Sequence, residues 1–131
     1  MFSNGKEVTA RIHNVAINAA AVEFTFKDSD GVTHVFVAGE RILITDVLLN
    51  NRATAKDITI FQDADGDDAY DAGEELVSVS FAAAGFEQVI FDSENGLPSR
   101  KINAALTNTL FALASAAGSV DILVKAVIVR A

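Results

Sequence analysis

The sequence predicts an all-β protein, an antiparallel β-sandwich of about eight strands. Apolar and polar residues alternate with a period of two in most segments, which is the pattern of half-buried strands. Turn-forming residues recur at roughly the 8–12-residue spacing of sandwiches and barrels. The 131 residues suit one domain, 1–131, which is long enough to bury a substantial core.

The first third of the chain predicts a strand and a hairpin. "EVTARIH" alternates and predicts the first strand. "AVEFTFKD" and "VTHVFVA" also alternate, and "DSDG" at 28–31 supplies the Asp, Ser and Gly that favour a tight turn. We therefore predict a hairpin over residues 21–38.

The middle of the chain predicts a long strand, a second hairpin and a short strand. "ERILITDVLLNN" is the long strand. "DITIFQD" and "ELVSVSFAA" flank an acidic stretch, so they predict a hairpin with an unusually long tip. "FEQVIFD" predicts the short strand that follows.

The region after residue 100 is compatible with two interpretations. Ile102, Leu106 and Leu110 fit a helical stripe, but the three residues after Leu106 are poor helix formers. We predict a loop to about residue 105 and then a strand over "TLFALAS". A turn and the final strand "VDILVKAVIVRA" complete the count, for which a jelly roll is favoured over an immunoglobulin-like Greek key.

Two predicted strands, "RILITDVLLN" and "ILVKAVIVRA", are apolar on both faces. One face of an antiparallel sandwich sheet is normally wet. Isolated exposed apolar residues are ordinary, but a contiguous apolar surface usually marks a partner. We therefore predict a subunit interface on these strands.

Composition narrows the classes of function. The net charge is −8, and seven of the 18 acidic residues lie within 63–75, leaving eleven acidic residues against ten basic ones elsewhere. No basic stripe is present, so nucleic-acid binding is not expected. No apolar stretch reaches the roughly 18 residues of a membrane span, and no secretory signal is visible, so synthesis in the cytosol is expected. The absence of cysteine excludes disulfides and thiolate chemistry.

Catalytic constellations are not evident, so we predict a protein that is not an enzyme. His13 and His34 are lone histidines on predicted strands, where an ordinary structural role is the simpler interpretation. Asp46 lies inside "LITDVLL" and must point outward or be paired, with Arg41 or Lys125 as candidates. With one tyrosine and no tryptophan, the aromatic platform of many sugar binders is missing, and the nine phenylalanines are interpreted mostly as core.

The acidic stretch "DADGDDAYDAGEEL" has the spacing of an oxygen-ligand loop. With Asp63 as position 1, acidic residues stand at positions 3, 5, 9 and 12, which supply ligands in an EF-hand loop. Position 6 normally holds glycine and here holds Asp68, a residue that tolerates the left-handed conformation. Because β-patterned segments flank the stretch, we predict an EF-hand-like loop on a hairpin and not an EF-hand domain.

This loop resembles the calcium loops found between strands of bacterial cell-surface β-sandwich repeats. The resemblance implies a structural calcium ion and the side-chain ligands Asp63, Asp65, Asp67, Asp71 and Glu74. It leaves Asp68 and Glu75 as outer charges. The alternative is an acidic turn that stays solvated, although seven neighbouring like charges repel one another unless they are neutralised.

From residue 41 onward the strand pattern is similar to that of small jelly-roll proteins of tailed bacteriophage virions. "RILITDVLLNNRATAKDITIFQD", "GLPSRK" and "TLFALASAAGSVDILVKAVIVRA" carry this resemblance. It implies a capsid decoration (cement) protein, often trimeric, made in the host cytoplasm and bound to the major capsid protein in the virion. The alternative from another class is a fragment of an extracellular bacterial adhesin or carbohydrate-binding module stabilised by calcium.

Overall fold

Two antiparallel β-sheets pack face to face in the computed structural model, which describes residues 5–16, 21–36, 40–62, 70–71, 75–90, 99–101 and 110–130. These residues form nine strands and no helix, which confirms the predicted all-β antiparallel sandwich. The strands are β1 Lys6–Ala16, β2 Val22–Glu23, β3 Glu40–Asn51, β4 Lys56–Gln62, β5 Glu75–Phe81, β6 Gly85–Ile90, β7 Ser99–Lys101, β8 Leu110–Ala114 and β9 Ser119–Arg130. No helix able to span a membrane occurs in this part of the chain.

The strand order is that of a jelly roll. One sheet runs β1-β9-β3-β6, with the short β7 also on β3, and the other runs β2-β8-β4-β5. Setting β7 aside, the first strand pairs with the last, the second with the one before the last, the third with β6, and the fourth with its neighbour β5. A long antiparallel hairpin rolled into two sheets produces this pairing, so the favoured topology is confirmed over the immunoglobulin-like Greek key.

Alternating residues of the central strands form the core between the sheets. On β3 and β9 the inward positions are apolar and almost without solvent exposure, as for Val47, Leu49 and Val124. Ile58 and Ile60 of β4 meet them from the other sheet. Burying each such side chain contributes about 1.5–3 kcal/mol, so the period-two pattern that predicted the strands also holds the layers together.

A tight turn at residues 28–31 connects a segment that pairs with β1 through Lys27 to a segment that returns beside it. The Asp28 carboxylate accepts hydrogen bonds from the amides of Asp30 and Val32 at 2.9 and 3.0 Å, and Gly31 has a φ of +79°. The predicted turn is therefore present. The predicted hairpin arms are joined at one bridge, Lys27 with Thr33, and β2 pairs with β8.

A buried lysine closes the end of the sandwich between β3 and β4. Lys56 is 4% exposed, and its Nζ donates to Asn51 Oδ1 at 2.6 Å and to the Thr54 carbonyl at 3.0 Å. Gly118, with a φ of +139°, packs against it: an added Cβ would lie 2.9 Å from both Lys56 Nζ and Ala53 Cβ. This cluster holds the turn through which the chain passes from β3 in one sheet to β4 in the other.

One detail differs from the sequence predictions. The predicted loop reaching to about residue 105 contains β7, whose three residues pair with Arg41–Leu43 of β3. Its sequence "SRK" has no apolar alternation, because its pairing is specified by β3 and not by its own pattern. The loop-or-helix alternative for residues 102–109 lies outside the described residues.

Candidate functional site

The acidic loop joins the two strands of the β4–β5 hairpin, as predicted. Phe61 lies opposite Glu75 in the antiparallel register, so the loop leaves and re-enters the sheet at adjacent points. Of the five predicted calcium ligands the structure places Asp71, which is exposed; Asp63, Asp65, Asp67 and Glu74 lie outside the described residues. Among the residues that are described, no group of three or more His, Cys, Asp or Glu forms a metal site. The ligand set therefore stays a prediction.

The C-terminal part of this loop is anchored on the outer face of the four-stranded sheet. The Tyr70 ring meets the Phe61 ring edge-on, with centroids 5.4 Å apart, and its hydroxyl donates to Glu75 Oε2 at 2.7 Å. Phe61 in turn stacks on Phe111 at 5.5 Å, and both phenylalanines are buried although they lie outside the main core cluster. Tyr70 thus covers part of the outward-facing Phe61.

The outer face of the five-stranded sheet carries an open groove of about 250 Å³. Strands β1, β9, β3 and β6 contribute to it in that order, and the lining is mixed. Arg11, His13 and Asp121 provide the polar side, while Leu48, Leu123 and Phe86 provide the apolar side.

Asp121 is the centre of the polar side of this groove. It accepts from Arg52 Nε at 2.6 Å and from Asn50 Nδ2 at 3.1 Å, and His13 Nδ1 lies 3.0 Å from its other oxygen. The Arg52 and His13 side chains are 41% and 71% exposed, so solvent screens both pairs. The network orients side chains at the groove and contributes little to stability.

Two large apolar side chains of β6 are exposed on this face: Phe86, which lines the groove, and Ile90, further along the strand. They are 63% and 64% exposed. The register with β3 pairs them with Asn50 and Asp46, so they stand on the outer face, two positions either side of Gln88. Phe86 is an exception to the prediction that the phenylalanines are mostly core: its side chain is largely exposed and supplies an aromatic surface that composition alone did not indicate.

The interpretation of His34 as an ordinary strand residue needs refinement. Its Nε2 lies 3.1 Å from Glu40 Oε1 and its Nδ1 lies 3.3 Å from Lys6 Nζ. Because an ammonium group can only donate, Nδ1 is the acceptor and the Nε2–H donates to Glu40. Both ring nitrogens are engaged and the side chain is 9% exposed, so this histidine links segments of the fold.

Asp28 lies beside this cluster. Its oxygen is 3.6 Å from Lys6 Nζ. The hydrogen bond from the Val32 amide, supported by the Asp30 amide and by Lys6, holds the pKa of Asp28 below its ordinary value of 3.8. The ionised carboxylate is therefore the form that the turn stabilises.

Asp46 is partnered across strands by a residue that the sequence did not indicate. Gln88 Nε2 donates to its two oxygens at 3.2 and 3.3 Å. Asp46 points outward and is half-buried, which is one of the two outcomes that the sequence predicts. In the register with β9 it lies opposite Lys125. Gln88 was missed because its proximity comes from the pairing of β3 with β6, 42 residues apart.

Comparison with known proteins gives distant structural similarity and no sequence match. No family model matches the sequence, and no curated protein matches it. Among solved structures, the fold is similar to a chain in the cryo-EM structure of a virus-like particle of extra small virus from the giant freshwater prawn Macrobrachium rosenbergii. The identity is 8%, the match covers 95% of this chain and 77% of that chain, and the TM-score is 0.42. A likeness at this level carries no argument, so function is inferred from the chain's own geometry.

Proposed function

We propose that this protein is a non-enzymatic structural protein of a virion, of the capsid decoration or cement type, which stabilises the shell through β-sandwich contacts. The observation that carries the proposal is the outer face of the five-stranded sheet. Phe86 and Ile90 stand in solvent there next to the half-buried Leu48 and Leu123. Exposed apolar surface of this kind, rimmed by polar residues, marks a protein interface.

The jelly-roll topology is compatible with this proposal without selecting it. Viral capsid domains, lectins and cupins all use the topology, so the fold alone does not define a function. The two histidine–carboxylate pairs do not favour catalysis. His34 has both nitrogens engaged within the fold, and the His13–Asp121 pair forms part of a solvated network.

The proposal includes partners and a location. The major capsid protein would be the partner, the protein would form a homo-oligomer, with a trimer favoured, and it would reside in the virion after synthesis in the host cytoplasm. A structural calcium ion held by the acidic loop would order residues 63–75. The placement of Tyr70 on Phe61 supports this role, because ordering the loop would also fix the cover over that ring.

The mass and symmetry of the protein in solution test the proposal. Native mass spectrometry and sedimentation velocity should find a defined homo-oligomer, and the purified oligomer should raise the thermal stability of the shells assembled from the capsid protein of the same virus. A monomer that leaves those shells unchanged would contradict it.

A second candidate is the calcium-stabilised extracellular adhesin or carbohydrate-binding module. The groove favours it, because an exposed phenylalanine lines it together with Asn50, Asp121 and Arg11, which are groups that bind sugar hydroxyls. Glycan-array binding that is lost in Phe86→Ala and Asp121→Ala would support this candidate. Failure to bind any glycan at millimolar concentration would remove it.

A further inference from the structure

Strand β6 is an open edge of the five-stranded sheet. Within the described residues it pairs with β3 alone, over six consecutive residues without a register shift. The backbone groups on its other side therefore have no ladder partner in that part of the chain. Its residues are exposed apart from the half-buried Val89. An unpaired strand of this kind is a template for pairing with another chain.

The other outer strands are protected in ways that β6 is not. At the opposite edge, β1 is covered by Lys27, which exchanges backbone hydrogen bonds with Thr9 at 2.9 and 2.8 Å, and it contains a bulge after Ile12. In the second sheet, β2 has two residues and β5 is interrupted by a register shift. Charged side chains, proline and bulges are the usual protection of an edge, and Gly85–Ile90 contains no lysine, proline or bulge and one charged residue, Glu87.

We propose that β6 pairs antiparallel with β6 of a second copy of this chain, about a two-fold axis at Gln88; this rests on the proposed structural role. The pairing sets Phe86 opposite Ile90 of the second copy, and Ile90 opposite its Phe86. Aromatic and β-branched residues form favourable cross-strand pairs. Two of the most exposed apolar side chains in the described structure would thereby be covered on both copies by one contact.

Charge and the position of the Phe86 ring favour this register over the registers centred on Glu87 and on Val89. Centred on Gln88, the strand sets its one charged residue, Glu87, opposite Val89 of the second copy. Centred on Glu87, it would set two carboxylates face to face, which is destabilising. Centred on Val89, it would leave the Phe86 ring outside the paired segment. The sequence "FEQVI" is thus self-complementary in one register.

The side chains at the axis are compatible with the contact. The two Gln88 side chains would meet on the outer face, where each is already held by Asp46 of its own chain. Amide groups can donate to one another and accept in return, so no unpaired charge is buried at the axis. A pair of five-residue strands buries less than the roughly 1,200 Å² of a standard interface, so the contact is weak and becomes useful when many copies are held together.

A two-fold edge contact differs from the ring that a trimer requires. It joins copies in pairs, so in a trimeric assembly it would link one trimer to the next and leave the three-fold contacts unchanged. The two-fold contact is therefore independent of the oligomer number in the proposed function.

Charge-swap variants of the full chain test the register. Phe86→Lys with Ile90→Lys sets like charges opposite each other at both pairs, whereas Phe86→Lys with Ile90→Glu sets opposite charges there. Both positions are exposed, so the variants should keep the wild-type melting temperature. Ser78→Lys with Ser80→Lys, on exposed positions of β5, is the control with the same change of net charge as the two-lysine variant.

Sedimentation equilibrium over increasing protein concentration gives the result. We expect the two-lysine β6 variant to associate at least about tenfold more weakly than wild type and more weakly than the lysine–glutamate variant, and the β5 control to remain near wild type. Equal association of wild type and the two-lysine β6 variant would overturn the inference, as would a folded lysine–glutamate variant that associates no better than the two-lysine variant. If a trimer persists in all variants while only these results fail, the inference is wrong and the proposed function stands.

Discussion

The outer faces of the two sheets differ in how far their large apolar side chains are exposed to solvent. On the four-stranded sheet, Phe61 and Phe111 lie outside the main core cluster and are still buried, and Tyr70 from the acidic loop packs edge-on against Phe61. On the five-stranded sheet, Phe86 and Ile90 remain more than 60% exposed. The first face is completed by its own chain, and the second is open to another.

This difference shows what an apolar outward residue means in such a fold. Covering Phe61 stabilises the monomer, so the residue acts as a second, smaller core. The exposed Phe86 side chain does not stabilise the monomer, and it places apolar surface at the edge of the sheet. We therefore expect mutations on the first face to change folding and mutations on the second to change assembly.

The largest expected effect is on the covered face. Phe61→Ala removes a fully buried ring that stacks on Phe111, so it should lower the free energy of unfolding by about 3–5 kcal/mol. Phe86→Ala, the matched truncation on the open face, should change it by less than about 0.5 kcal/mol. Urea denaturation measures both. Equal losses for the two variants would break the comparison.

Calcium should strengthen the cover on the same face. If the acidic loop binds the ion, a hundredfold excess of calcium over its dissociation constant stabilises the fold by about 2.7 kcal/mol. The melting temperature in calcium should therefore exceed that in excess chelator, and Asp65→Asn should reduce the difference whereas Asp57→Asn, outside the loop, should not. Identical melting temperatures in calcium and chelator would show that the loop is a solvated turn.

A smaller effect on the free energy of unfolding is expected at Tyr70, whose ring packs on Phe61. Tyr70→Ala removes the ring that meets Phe61 edge-on and should lower the free energy of unfolding by about 1–2 kcal/mol. Tyr70→Phe keeps the ring and removes the hydroxyl bond to Glu75, so about 1 kcal/mol or less should be lost. The two denaturation curves separate packing from hydrogen bonding. A Tyr70→Ala curve that coincides with wild type would mean that the loop does not cover this face.

The smallest effect concerns the protected edge of the five-stranded sheet. The pKa of Asp28 is lowered in the fold, so the stability it contributes is present above its ordinary value of 3.8 and is lost as the pH falls through the folded value. Acidification should then loosen the 28–31 turn and lower the protection factors of the Thr9 and Lys27 amides, taken relative to the intrinsic exchange rate at each pH, because their mutual bonds cover β1. Amide exchange in an Asp28→Ala variant should show no such step. A step that persists in this variant would assign the change to another group.

Much of this fold can be predicted from the sequence because alternation and turn chemistry are local. "ERILITDVLLNN" predicts β3 with its observed bounds, and the β4–β5 hairpin follows from two alternating runs around polar residues. The faces of β6 do not follow, because Phe86, Gln88 and Ile90 alternate with Glu87 and Val89, and both sets contain polar and apolar residues. Only the pairing with β3 decides which set points outward.

The candidate sites show the same division. Ligand spacing in the acidic loop is a local pattern, so the sequence predicts a calcium site, of which the described residues include Asp71. Residues of the groove come from four strands that are far apart in the chain, as the difference of 71 in residue number between Asn50 and Asp121 illustrates. Spacing carries no information about such a set, and it emerges only from the register of β1, β9, β3 and β6.

Amide hydrogen exchange of the wild-type chain at low and high protein concentration tests most directly whether β6 is an assembly edge. We predict that alternate amides within Gly85–Ile90 become more protected as the concentration rises, while those of Glu75–Phe81 on the edge of the other sheet stay unchanged. Exchange in Gly85–Ile90 that is the same at every concentration would contradict this prediction.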